Sequence, residues 1–268
     1  MAKKYSKKPI FKNKKNTSPR KESTPPSPPQ AEGMRLNKYV AKTGICSRRQ
    51  AAELVKKGEI EVNGEVVLEP YYVVREEDQI SHKGKPIKLE QKLVYLLMNK
   101  PKDFITTVSD ERGRKTVMDL IAHKVSERVY PVGRLDRATT GLLLLTNDGD
   151  LAKKLAHPSH MVKKFYHVAL NNPLIQEDID QIRNGLELED GPVRVDSIDY
   201  VPKTGKKEVG IELHSGRNRI IRRIFEHLGY KVIRLDRTYY AGLTKKDLPR
   251  GRFRHLDEQE IVMLKHFV

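Results

Sequence analysis

Residues 130–155 read YPVGRLDRATTGLLLLTNDGDLAKKL. A single carboxylate, Asp136, stands between Arg134 and Arg137, and Gly133 and Gly141 bracket the segment. The four leucines at 142–145 form a short apolar run bounded by turn residues. Such a run reads as a buried strand, with a buried helix as the alternative that periodicity leaves open. Asn147, Asp148 and Gly149 break the run, and Leu151 and Leu155 resume at helical spacing. Asp136 is therefore expected in a polar loop held between two packed elements, where a rigid scaffold presents working residues. A surface aspartate paired with a neighbouring arginine is the plainer alternative.

The 268 residues are enough to bury a substantial core in one medium domain and leave room for a smaller one. Charged residues make up 32% and hydrophobic ones 37%, and 52 Lys and Arg against 35 Asp and Glu give a formal net charge of +17. That excess favours a polyanionic partner, because neutralising phosphates releases condensed counterions. An acidic membrane surface is the competing explanation. No apolar run reaches the length of a membrane span, and the basic N-terminal region has no hydrophobic block of a signal peptide. With Cys46 as the only cysteine, an intrachain disulfide and a cysteine-cluster metal site are both excluded. A reducing, cytoplasmic location and a nucleic-acid partner are expected.

Residues 1–33 carry nine basic side chains against Glu22 and Glu32, followed by STPPSPPQ. So few apolar groups cannot offset the entropy of ordering, and a disordered tail is expected, either tethering RNA or only solubilising. From Met34 the pattern changes. Leu36, Tyr39, Val40 and Thr43 give a short helical stripe ending at Gly44. Ser47 and Gln50 form a capping box for a second helix with Gly58 as its stop. EIEVNGEVV then alternates around Asn63-Gly64, a strong hairpin signal. Many cations and a single acid, Glu53, on the two helices favour a phosphate-reading surface over a merely solvated one.

RLNKYVAKTGICSRRQAAELVKKGEIEVNGEVV resembles an S4 RNA-binding domain through to about residue 80. The resemblance implies Arg35, Lys38, Ser47, Arg48 and Arg49 as RNA contacts. A connector leads to a domain boundary expected near residue 90, giving a tail at 1–33, an S4 unit with connector at 34–90 and a larger domain at 91–268.

In the larger domain, LVYLLM is expected as a strand stopped by Pro101, and VMDLI as a short helix. KKFYHVALN alternates, with Tyr166, Val168 and Leu170 on one side. Tyr166 suits either a core or a stacked base. VRVDSIDYV and KEVGIEL are further expected strands. In GRNRIIRRIFEHLGY, Ile220, Ile221, Ile224, Phe225 and Leu228 form one helical stripe. Arg219, Arg222 and Arg223 are then expected on the opposite side, either solvated or bordering a cleft.

Taken together, GRLDRATTGLLLLTNDGDLA, KKFYHV and GRNRIIRRIFEHLGY resemble the catalytic domain of pseudouridine synthases of the RsuA/RluB branch, in the family's order. The resemblance covers most of residues 93–268. It implies an α+β fold, with a mixed, mostly antiparallel sheet and flanking helices behind the S4 unit. It also implies isomerisation of a specific uridine to pseudouridine, in large-subunit (23S) ribosomal RNA by the form of LELEDGP, of the central motif and of LPRGRFRHL. Small-subunit (16S) RNA, or a non-catalytic ribosome-binding or assembly role, are the alternatives. By resemblance Asp136 is the essential aspartate, Tyr166 the active-site tyrosine and Arg222 the basic residue paired with the aspartate. Arg134, Arg137, Arg217, Arg219 and Arg223 are the expected RNA contacts of this domain. The reaction needs no redox change or external nucleophile, so no cofactor and no metal are expected. The expected partner is ribosomal RNA or a pre-ribosomal particle, no membrane is involved, and the chain is expected to act as a monomer. Metal-dependent chemistry by Asp136, Asp148 and Asp150 is a weaker reading, since Asp148 and Asp150 sit where a turn and a helix N-terminus favour acids locally.

Overall fold

The computed structural model describes residues 33–89 and 92–266. The tail expected at 1–33 and the boundary expected near 90 fall almost wholly outside the described residues.

The N-terminal unit is small. β1 (Met34–Arg35) leads into α1 (Leu36–Lys42), and α2 (Arg48–Lys56) follows. Ser47 caps α2 with the full capping box: its hydroxyl accepts from Gln50 N, and the Gln50 side chain accepts from Ser47 N. β2 (Ile60–Val62) and β3 (Glu65–Val66) form the expected hairpin. Asn63 and Gly64 both lie at positive φ, 54° and 84°, which the tight turn requires. β4 (Val73–Val74) pairs with β1, and β5 (Ile80–His82) and β6 (Lys85–Pro86) extend the hairpin to four strands. Leu36, Val40, Ala51, Val55, Ile60, Val62 and Ile80 form its core.

The larger unit is built on a nine-stranded sheet. β7 (Tyr95–Lys100) ends one residue before Pro101, which has no amide hydrogen to donate. β8 (Tyr130–Pro131) and β9 (Thr140–Thr146) flank the Asp136 loop. β10 (Lys164–Leu170), β11 (Leu186–Leu188), β12 (Gly191–Val193), β13 (Ser197–Tyr200), β14 (Glu208–Leu213), β15 (Val232–Tyr240), β16 (Leu243–Thr244) and β17 (Phe253–His255) complete the strands. The main order is β13-β14-β10-β15-β9-β7-β17, with β8 added on β9 and β16 on β15; β11 and β12 form a separate ribbon. Every pairing in the sheet is antiparallel except β15 with β9.

The leucine run is a strand, and its alternation divides the core in two. Leu143 and Leu145 join one cluster, with Ile179 and Ile182 of α4 (Gln176–Asn184) and Ile220, Ile221, Ile224 and Phe225 of α5 (Ile220–His227). Leu142 and Leu144 join the other, with Leu151 and Leu155 of α3 (Gly149–Ala156) and Leu264 of α6 (Glu258–His266). With helices covering both faces, the central strand must be apolar throughout, which is why its sequence does not alternate.

Two expectations are corrected. VRVDSIDYV is not one strand: β12 ends at Val193 and pairs with β11, whereas β13 begins at Ser197 and pairs with β14, so the segment crosses from the ribbon to the main sheet between them. The short helix at VMDLI is a single 3-10 turn, Val117–Leu120.

Candidate active site

Parallel pairing of β15 with β9 brings Asp236 beside Thr140 and Arg237 beside Gly141. Gly141 has φ +106°, and a Cβ there would lie 2.2 Å from the Arg237 carbonyl oxygen, so only glycine permits this approach. Asp236 fastens the junction: its carboxylate accepts from Thr140 Oγ1 at 2.8 Å and Arg250 Nη1 at 2.8 Å, and it pairs with Lys245. These cations hold Asp236 down at about 2, although burial pushes the other way.

Residues 132–139 lie just before this junction and are gathered from beneath by Lys100, which is 0% exposed. Its Nζ donates to the carbonyl of Thr139 at 2.7 Å and to those of Asp136 and Pro101 at 3.1 Å each. A buried ammonium is costly unless its donors are met, and here backbone carbonyls meet them. Burial pushes Lys100 down to about 8.

The loop opens onto a cavity of about 730 Å³. Asp136 lines it together with Tyr166, Lys164 and Arg237 from the sheet floor and Arg217 and Arg219 from the far rim. The Asp136 carboxylate makes no hydrogen bond and no ion pair within 4 Å among the described residues. It faces the cavity with its lone pairs uncommitted.

Tyr166 joins Asp136 in the cavity wall, but Arg222 does not form the expected pair with the aspartate. Arg222 is only 9% exposed rather than on a solvated side, and its Nη1 donates to the Val232 carbonyl at 3.0 Å. Position 222 lies at the edge of the apolar stripe, where α5 meets β15, so the helix buries it. Burial and Arg219 lower its affinity for the proton while Asp136 raises it, an interaction acting beyond ion-pair distance.

Several expected RNA contacts are neutralised by acids. Arg217 and Arg223 both grip Asp190 (Nε 3.0 Å and Nη1 2.9 Å), holding its carboxyl far below the usual range. Arg219 pairs with Glu226 at 3.4 Å and Arg137 with Asp103 at 3.3 Å. Arg134 lines the cavity and is exposed. In the N-terminal unit Arg35, Arg48 and Arg49 are exposed, the Ser47 hydroxyl is committed to its cap, and Lys38 pairs with Asp150 at 2.8 Å. Asp148 caps α3 and accepts from Tyr95 Oη at 2.8 Å, so neither it nor Asp150 turns toward Asp136 to hold a metal. Lys100, Lys164 and Arg237 were missed. Their roles depend on strand pairing and loop return, which leave no local pattern.

The sequence profile described as RNA pseudouridylate synthase matches residues 94–227, and the S4 domain profile matches residues 34–80. A ribosomal large subunit pseudouridine synthase B of Bacillus subtilis is 39% identical over 234 residues, covering 86% of this chain and 95% of the relative. The chain belongs to the RNA pseudouridylate synthase family. An uncharacterized RNA pseudouridine synthase of Mycobacterium bovis is 40% identical over 246 residues, covering 88% of this chain and 94% of that one. A crystal structure of a pseudouridylate synthase superposes with a TM-score of 0.63 at 26% identity, covering 87% of this chain and all of the other. This pseudouridine synthase is thus an isomerase with an S4 RNA-binding domain, and no helix among its described residues is long and apolar enough to cross a membrane.

Proposed function

We propose that this pseudouridine synthase isomerises a specific uridine of large-subunit ribosomal RNA, with Asp136 as its catalytic carboxylate. The observation that carries this reading is the uncommitted Asp136 carboxylate in a cavity whose wall includes Tyr166. The Bacillus subtilis relative's name, ribosomal large subunit pseudouridine synthase B, supports the substrate class.

The target uridine leaves its stack and enters the cavity, its base against the Tyr166 ring. The bond from uracil N1 to ribose C1′ breaks, and the electron pair stays on the base. Positive character at C1′ is stabilised or attacked by the Asp136 carboxylate. The base rotates, C5 bonds to C1′, the C5 proton leaves and N1 takes one up, so atoms and electrons balance without a co-reactant. Arg222 acts on the aspartate through space rather than by direct pairing. The expected setting is a monomer in the cytoplasm acting on ribosomal RNA or an assembling particle.

The test is turnover on 23S and 16S transcripts carrying tritium at uridine C5, with Asp136→Asn beside the wild type. Tritium release from the 23S transcript alone, abolished in the variant at unchanged RNA affinity, is expected. Release by the variant would remove Asp136 from its role, and release from 16S alone would move the substrate to the small subunit.

A further inference from the structure

The floor of the cavity holds two cations that the steps above do not use. In the pairing of β10 with β15, Tyr166 lies opposite Arg237 and Lys164 opposite Tyr240. All four line the cavity. Arg237 is 3% exposed. Its guanidinium is fixed from two sides, with Nε donating to the Leu142 carbonyl at 2.7 Å and Cζ 4.4 Å from the centre of the Tyr240 ring. Nη2 is buried without a partner. Lys164 Nζ donates to the carbonyls of Val162 at 2.9 Å and His214 at 2.6 Å, which leaves one N–H of the ammonium over.

Neither cation forms an ion pair with a carboxylate within 4 Å among the described residues. That sets them apart from the rim, where Asp190, Glu226 and Asp103 each answer an arginine. A guanidinium buried without a carboxylate is costly unless something else offsets its charge. Arg237 lines the cavity beside Tyr166, so the group that offsets it is expected where that ring would place the stacked base. When N1 separates from C1′ the base holds the bonding pair, and the charge spreads onto O2 and O4. Donors fixed in a dry wall before the charge develops are the arrangement that lowers such a barrier.

We propose that Arg237, assisted by Lys164, binds a carbonyl oxygen of the extruded uracil and stabilises the negative charge on the base while it is detached from ribose. Arg237 is then a further catalytic residue, and the assignment rests on the uridine-isomerising reading given above. A phosphate of the target nucleotide would also offer acceptor oxygens, and the experiment separates the two sources.

The experiment is single-turnover cleavage of the N-linked base in 23S transcripts made with uridine or with 5-fluorouridine, for wild type, Arg237→Gln and Arg237→Lys. Fluorine at C5 stabilises the departing base anion by itself, so that substrate depends less on the protein. The expected result is a loss of about 100-fold for Arg237→Gln on uridine RNA, as for removal of an oxyanion donor, and a several-fold smaller loss on 5-fluorouridine RNA. RNA affinity is expected to stay unchanged, and Arg237→Lys, which keeps the charge, to lose less with the same inequality between substrates. Both losses are read from one preparation, so an unfolded fraction cancels from their ratio. Equal losses on the two RNAs in both variants overturn the proposal. Weakened binding with a shallower salt dependence at unchanged turnover also overturns it, making Arg237 a phosphate contact. A wild-type enzyme that forms no pseudouridine would instead sink the parent reading.

Discussion

Lys100 shows what one residue does that its neighbours in sequence do not announce. It reads as the end of a strand before Pro101, and it is that. But its Nζ also collects the carbonyls of Asp136 and Thr139 from 36 and 39 residues away. Burial pushes it down to about 8, against the upward pull of Asp136 and Asp103. Between about pH 8 and the ordinary lysine value near 10.4 the unfolded chain keeps a proton that the folded chain releases. The unfolded state binds more protons there, so this residue's contribution to stability rises with pH and is lost as pH falls through about 8. Catalysis should run the other way, because loss of the ammonium charge loosens the loop under Asp136. We expect the thermal-midpoint difference between wild type and Lys100→Met to grow from about pH 7 to about pH 10, while the wild-type single-turnover rate declines. A difference that stays flat with pH would show that Lys100 does not titrate in this window.

At the scale of elements, the leucine run was legible as a strand because turn residues bound it on both sides. Its assignment to two cores was not, since that depends on helices from distant sequence covering each face. Helix α5 was legible in its apolar stripe and its Gly229 stop, whereas the burial of Arg222 followed from which edge of the stripe meets β15. Asp136 and Tyr166, which share the cavity wall, lie in local motifs that a sequence displays, whereas the place of Arg237 depends on a cross-strand register. Gly141 joins these elements, for its missing Cβ lets β9 approach the Arg237 backbone. In Gly141→Ala the added carbon would meet the Arg237 carbonyl oxygen at 2.2 Å and nitrogen at 2.5 Å, so the strands must part. An overpacked site of this kind costs about 1–3 kcal/mol, and the positive φ adds strain. Denaturant unfolding is expected to show that loss, and turnover to fall further than the unfolded fraction accounts for, because the shift moves Asp136 and Arg237 together. Turnover falling only in step with stability would mean that the loop keeps its geometry when the strands part.

Over the whole molecule, the charge of +17 pointed correctly to RNA, but no local pattern tells how the S4 unit meets the catalytic domain. Lys38 and Lys42 of α1 reach Asp150 in the first turn of α3 at 2.8 and 3.1 Å, and Arg128 Nη1 donates to the Cys46 carbonyl at 3.2 Å. The two lysines hold the Asp150 carboxyl below its usual range. Asp150 is more than half exposed, and solvated pairs of this kind are worth about 0.2–1 kcal/mol each. Docking of that strength orients the S4 unit without fixing it, and it occupies two cations that an RNA backbone would otherwise take. Asp150→Ala should therefore free both lysines while leaving the catalytic cavity intact. RNA affinity is expected to rise by up to about fivefold at low salt, one pair's worth of free energy. The plot of log affinity against log salt should steepen by up to about two units, one for each added phosphate contact. Filter binding across a salt series measures both. An affinity that falls would mean that RNA needs the S4 unit held where Asp150 puts it, and that the contact presents the domain rather than restrains it.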